Sequence, residues 1–292
     1  MLNHRYKTFI QVAKDLNFTT AARHLCLTQP TVSKHISYIE SELNVKLFCF
    51  EQKQLYLTTE GKYLFNEILL LDRHISKIKQ KLLGPTLTYT LYIGASRSIG
   101  EYYLPHYTRL FQPNNLHFAL TIGNTDFLLN ALAKAEIDCA LVSGPIDHFG
   151  GFSKRIFYKD RIVLVSAPDH PLAGQTVGYQ DILSENFVLR EKGSGIYQSL
   201  NNILSEHNRS CSDFTQAVTI NNIGLIKNLL LQEPSLSFFY LTSIGEELSS
   251  GLLSEVKIAD LNLNQNYYIV FNENLVYRSK IDFLYELISK PV

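Results

Sequence analysis

A polar face and an apolar face share residues 28–43 of this 292-residue chain. Val32, Ile36, Ile39 and Leu43 recur at steps of three and four, the spacing of one buried helix stripe. Away from that stripe lie Gln29, Thr31, Ser33, Lys34, Ser37 and Tyr38, with His35 and the backbone of the helix start nearby. Amides, hydroxyls and an ammonium so arranged suit hydrogen bonding to base edges and phosphates. A solvated helix face carries similar residues, so what precedes it matters. Thr28 is placed to cap the helix, and Pro30 fits its first turn, where a missing N–H costs no intrahelical bond. A short helix with Thr19 as its expected cap and Ala21, Ala22 and Leu25 inside enters through Cys26 and Leu27. Two helices joined this tightly are more specific than a basic patch.

A second group of candidates sits at strand-to-helix junctions. Ser96, Arg97 and Ser98 follow the strand-like LYIGAS, where free N–H groups and a helix dipole favour an anion. Gly193-Ser194-Gly195 occupies an equivalent junction further along. Two small-residue loops at facing helix starts point to a small carboxylate or inorganic anion, although one such loop alone is common without any ligand.

Catalytic patterns are missing. GxGxxG and GxxxxGK[ST] do not occur, which argues against nicotinamide or ATP as cofactor. The nine histidines include no HExxH, and no serine lies in GxSxG. Ser194 reads as a helix-start donor because no neighbouring base is identifiable. Surface or packing roles suit His106 and His170, and capping or fold maintenance suits Asp126 and Asp138. Cysteines 26, 49, 139 and 211 are too scattered for a disulfide scaffold or a metal site. They read as small apolar residues, with a redox sensor as the alternative.

Phe9, Val12-Ala13, Asn17-Phe18-Thr19, Ala21-Ala22, Leu25, Thr28-Gln29-Pro30, Val32-Ser33, Ile36, Ile39-Glu40, Leu43 and Leu47-Phe48 together resemble the LysR-type transcriptional regulators. GASRSIGEYYLP and LREKGSG are similar to the inducer-binding domain of that family. The resemblance implies double-stranded DNA and a small anionic effector as partners, paired recognition helices on two half-sites, and self-association as a dimer or tetramer. It further implies operator bending, and RNA polymerase is a partner it allows. Carried over to this chain, Ser96 and Ser98 donate to the effector from one lobe and Thr219 from the other. Val142 or Ser143 is a further choice, and Arg97 either supplies charge or faces solvent. Where the family usually has an arginine two residues after Leu47-Phe48, this chain has Phe50.

These residues need elements to hold them. The expected fold class is an N-terminal all-α winged helix-turn-helix (residues 1–59), a linker helix (60–84) and a C-terminal α/β two-lobe periplasmic-binding-protein-like effector domain (90–292). A supporting helix is expected over residues 2–16, with Tyr6, Phe9, Ala13 and Leu16 on one face. FEQKQLYLTTEG reads as a wing with Lys53 as its phosphate contact, or as a plain solvated hairpin. From about Glu60 to Leu83 a helix carries Leu64, Ile68, Leu71, Ile75, Ile78 and Leu82 at alternating steps of four and three. That seam suits pairing with a second subunit; folding back on its own domain would give the same stripe. Gly84-Pro85 ends it.

From Leu91 strands alternate with helices, as parallel βα units do. Strands are expected at 91–96, 118–123, 139–144, 161–167, 186–190 and 267–271, and within FTQAV, SLSFFY and LLSEVKIADL. Helices are expected at about 100–111, 126–135, 195–207, 221–231, 244–249 and 279–289. Lobe one is expected at about 90–165 and 267–292, and lobe two at 166–266, with the turn at Pro168 to Pro171 carrying the chain across.

Composition sets the outer limits. At 46% hydrophobic the chain has material for a core, and no apolar run approaches a bilayer span, so a cytoplasmic protein without membrane contact is expected. Zero net charge conceals an asymmetry: seven Lys/Arg against five Asp/Glu in residues 1–60, five against two in 61–84, fifteen against twenty thereafter. The positive excess falls where DNA would be met. A small-molecule binding or transport-like protein without DNA binding is the main rival reading, and an enzyme using the inter-lobe cleft the more distant one.

Overall fold

The computed structural model describes residues 3–51, 54–82, 90–107, 117–146, 151–273 and 278–290. Two compact units divide the chain, Met1–Thr88 and Tyr89–Val292.

The first unit begins with α1 (His4–Asp15), α2 (Phe18–His24) and α3 (Gln29–Leu43). Ala21 and Ala22 are buried, and their small side chains let α2 pack closely against α1 and α3. Asn17, rather than Thr19, caps α2: its Oδ1 accepts from the N–H groups of Thr19 and Thr20. Thr28 caps α3 as expected, accepting from Thr31 N. Val32, Ile36 and Ile39 are buried, but Leu43 is 42% exposed, because Asn44 turns left-handed and takes the last helical turn out of the core. A hairpin of β1 (Phe48–Glu51) and β2 (Gln54–Leu57) follows, paired Phe48 to Leu57 and Glu51 to Gln54. Glu40 ties it to α3, since its carboxylate accepts from Leu47 N at 2.8 Å and from Lys46 Nζ at 2.7 Å.

Thr58 accepts from Gly61 N and so starts α4 (Thr59–Leu82). Ile68 is only 3% exposed and lies in the core of this unit with Leu64 and Phe65 packed beside it, whereas Leu71 and Ile78 are about half exposed, at 52% and 51%. The single stripe expected from the sequence therefore splits. Its first part folds back on its own domain, and its later part is uncovered. Ile75 is half-buried; Lys53 and the side chain of Leu82 lie outside what is described.

The second unit is a mixed α/β structure in two lobes. Its elements are β3 (Leu91–Ser96), β4 (Phe118–Gly123), α5 (Thr125–Ala133), β5 (Cys139–Ser143), β6 (Ser153–Ser166), β7 (Thr176–Val177), β8 (Phe187–Arg190) and α6 (Gly195–Glu206). They continue with β9 (Ala217–Ile220), α7 (Ile223–Leu230), β10 (Ser237–Tyr240), α8 (Gly245–Ser249), β11 (Ser254–Ile258), β12 (Asn264–Phe271) and α9 (Arg278–Ile288). Strands run in the order β4-β3-β5-β12-β6-β11-β7, with β10 also on β6 and β8 paired with β9. The helix expected from Gly100 is instead a wide π-type turn, Ser98–Tyr103, and a 3-10 turn, Leu104–His106; the rest of that expected helix lies outside the described residues.

The crossing between lobes also differs from expectation. It happens inside β6, not at the proline turn after it: up to Arg161 this strand pairs with β12, and from Ile162 it pairs with β10 and β11. Asp160, buried at that exchange, accepts from Tyr267 Oη at 2.7 Å, its neighbour Arg161 N at 2.8 Å and Thr242 N at 3.3 Å. A buried carboxylate satisfied three times over fixes the strand where its partners change.

Candidate DNA-reading face and effector cleft

In the first unit, α3 turns Gln29, Pro30, Lys34, Ser37 and Tyr38 to the exterior, with Thr31 and Ser33 half-buried beside them. Gln29 Nε2 donates to Ser33 Oγ at 3.0 Å, so two of the expected readers are already positioned by one another. Thr28 is exposed but engaged in its cap, 2.8 Å from Thr31 Oγ1. Arg5, which the sequence did not single out, stacks on the Tyr38 ring at 3.9 Å and so brings a guanidinium to this face. His35 does not belong to it. Its Nδ1 lies 2.9 Å from Thr8 Oγ1 on α1 and its ring meets His4 edge-on, and burial, with His4 and Arg5 nearby, lowers its pKa below the usual histidine value.

Beside the start of α3 a groove of about 460 Å³ runs between Asn17, Thr19 and Gln29 on one side and Phe50 and Tyr56 of the hairpin on the other. Phe50 is 69% exposed at its edge.

In the second unit, Ser96, Arg97, Ser98 and Ser143 do come together. They line one closed cleft with Asn124, Thr125, Arg190, Ser194, Gly195 and Tyr240, and its cavity is about 10 Å³. Small residues at β-strand ends and at the starts of α5 and α6 build it, because only short side chains let the lobes approach this closely. Gly144 and Gly195 meet across it: a side chain on Gly144 would lie 2.7 Å from the Gly195 carbonyl. Tyr240 Oη, 3.2 Å from Ser199 Oγ, closes the floor, and burial pushes its phenol up to about 12.

Thr219 is not part of this cleft. It sits exposed on β9, paired opposite the buried Leu189, on a strand whose neighbours Ala217 and Val218 are exposed as well. From lobe two the charged residue that lines the cleft is Arg190. The only signal for it was a charge closing the apolar strand FVLR just before Gly193-Ser194-Gly195.

A larger space of about 1000 Å³ opens elsewhere in this unit, against Tyr102, Tyr107, Tyr158, Lys227 and Ser243. Lys227 is neutralised there by Glu247 at 2.6 Å. None of the expected serines reaches it, so size and polar convergence select different places, and the donors select the closed cleft.

The cysteines are all free. Cys139 and Cys211 are buried, and burial raises both thiols, Cys211 to about 12, which disfavours the thiolate a sensor needs. Among the described residues no group of three His, Cys, Asp or Glu side chains could hold a metal ion, and no helix is long and apolar enough to cross a membrane.

Similarity to known proteins extends over both units. Residues 4–62 match the pattern described as bacterial regulatory helix-turn-helix protein, lysR family, and residues 86–289 match the LysR substrate binding domain. The chain is 27% identical over 290 residues to an HTH-type transcriptional regulator of Methanocaldococcus jannaschii, MJ0300, covering 98% of this chain and 97% of that one. It is 30% identical over 277 residues to the "Probable RuBisCO transcriptional regulator" of Chlorokybus atmophyticus, covering 92% and 88%. Among solved structures, full-length CbnR complexed with its target DNA has a TM-score of 0.65 at 16% identity, covering 99% of this chain and all of that one. Full-length BenM has a TM-score of 0.57 at 22% identity, covering 99% and 95%.

Proposed function

Because the chain belongs to the LysR family of non-catalytic, DNA-binding transcriptional regulators, we propose that α3 reads an operator and that the closed cleft takes a small anion as effector. Residues 1–59 act as the winged reader and 60–84 as the linker. The effector domain is 90–292, its lobes meeting where β6 exchanges partners rather than after residue 165. One observation carries the effector reading: Ser96, Arg97, Ser98 and Ser143 converge with Arg190 on a single cavity. Hydroxyl and guanidinium donors from both lobes suit an anion that bridges them. On the DNA side, Gln29 and Ser33 meet base edges, Thr31, Ser37 and Tyr38 flank them, and Lys34 and Arg5 meet phosphate. His35 and Thr28 support the helix from behind and at its cap. Two copies associate through the later part of α4, where Leu71 and Ile78 are uncovered.

Binding of the full chain to duplex DNA from upstream of its own gene tests the reader. Gln29→Ala and Ser33→Ala should each relax sequence preference, and unchanged preference in both would remove α3 as the reading helix. Calorimetry with small carboxylates and oxyanions tests the cleft; undiminished binding in Ser98→Ala would place the site elsewhere.

A further inference from the structure

Arg190 ends β8 with its side chain only 5% exposed, facing the closed cleft. A guanidinium taken so far out of water needs a counter-charge. It has one next door: Arg190 Nε donates to Glu191 Oε2 at 2.9 Å and Nη2 to Glu191 Oε1 at 3.2 Å, both prongs of the fork on one carboxylate. Glu191 does not itself line the cavity, and its side chain is 18% exposed. Across the cleft two donors are buried without any acceptor, Ser96 Oγ and Arg97 Nε. Arg97 Nη1 lies 3.8 Å from Glu101 Oε1, but its Nε and Ser96 Oγ stand unsatisfied, while the cation in lobe two is held on two of its nitrogens by its own neighbour.

We propose that Glu191 is a resident counter-ion which an effector must replace, and that the effector is a small oxyanion with at least two free oxygens. With the lobes parted enough to enlarge a cavity now about 10 Å³, one end takes the Arg190 fork and the other accepts from Ser96 Oγ and Arg97 Nε. This rests on the reading of the cleft as an anion site. A planar fork prefers paired oxygens, so a carboxylate or a tetrahedral oxyanion fits, and a neutral ligand cannot restore the charge balance that Glu191 provides. Glu191, partly exposed already, can turn to water when displaced, whereas Arg190 cannot. The exchange therefore substitutes one anion for another at a buried cation, and affinity measures the difference between them.

Calorimetric titration of the full chain with sulfate, acetate and malonate separates the outcomes. In Glu191→Gln the resident charge is gone while the residue's size is kept, and the best of these probes should bind on the order of tenfold more tightly than to the natural chain, the gain of a charged over a neutral competitor. Glu206→Gln, at the exposed far end of α6, removes the same formal charge and should leave affinity within about twofold, as screening over that distance requires. Arg190→Lys keeps the charge but loses the fork and should weaken binding. Equal affinity in Glu191→Gln and the natural chain, with Ser98→Ala still weakening it, overturns the exchange but leaves the anion cleft standing. Equal gains in Glu191→Gln and Glu206→Gln overturn it too, since net charge alone would then explain them. No heat from any probe with any variant overturns both the exchange and the cleft reading.

Discussion

Gln198 Nε2, on α6, donates to the Asp126 carboxylate, on α5, at 2.7 Å, and so fastens one lobe of the second unit to the other. Beside it Asp126 N donates to the Gly193 carbonyl at 3.1 Å, and Gly193 holds a left-handed turn with φ +88° that brings its backbone against Asp126. The cleft is closed by direct contact between the lobes.

Removing this fastening should shift the lobes toward opening. Gln198→Ala deletes one hydrogen bond to a carboxylate, worth about 1.5–3 kcal/mol, and should raise the open population on the order of ten- to a hundredfold. Amide exchange at the start of α6 and α5 would report it as faster; unchanged exchange would show that the glycine contacts alone close the cleft. Gly195→Ala, whose new methyl would collide with the Ser143 backbone, should open it further.

The hairpin aromatic offers a test with a sign. Phe50→Arg places a guanidinium at the rim of the groove beside α3, and the plot of log affinity for duplex DNA against log salt should steepen by about 0.9 per protomer. Lys34→Gln should make the same plot shallower by about the same amount without changing sequence preference. Unmoved slopes in both variants would take the DNA backbone away from these positions.

The α4 stripe predicts two different losses. Ile68→Ala, inside the core of the first unit, should destabilise that unit by about 2–4 kcal/mol. Leu71→Glu with Ile78→Glu should leave its stability nearly unchanged and lower the oligomeric mass seen by light scattering. A full-mass particle from the double variant would put self-association elsewhere.

His35 makes the first unit sensitive to acid. Its folded pKa is lowered, first by burial, so the unfolded chain takes up the proton more readily. The neutral form's contribution is fully present above the unfolded value of about 6.5 and falls away as pH drops below it. Urea midpoints followed by circular dichroism should therefore decline from pH 7.5 to pH 5.5, and His35→Gln should flatten part of that decline.

The first unit was legible because its signals are local. Steps of three and four place Val32, Ile36 and Ile39, and Thr28 caps the helix that follows it. The misses there are local too: Asn17 and Thr19 can each accept a capping bond, and only the chain's direction of entry decides for Asn17. Leu43 fits the period and is the last residue of α3, but with the helix ending there, before the left-handed Asn44, it stays exposed.

In the second unit strands and helices were readable but their partners were not. Residues 153–160 set pairs of charges on either side of Ile156, Phe157 and Tyr158, without the alternation of a half-buried strand, yet they are half of β6. Thr219 lies on the exposed strand β9 and Arg190 on its buried partner β8, a pairing of residues about thirty apart that leaves no mark on either stretch alone. The π-type turn Ser98–Tyr103 is wider than an α-helix and does not follow its steps of three and four.

Since β6 serves both lobes without a break, neither lobe can slide on the other: a slip of one residue would invert every side chain along the ladder. A change in the angle between them must be taken up where the chain crosses, at residues 160–162, where Asp160 grips Tyr267, and at the return from β11 to β12. A message leaving the cleft would then travel as torque on this pair of crossings, with its stroke limited by how far β6 can be turned before the carboxylate lets go.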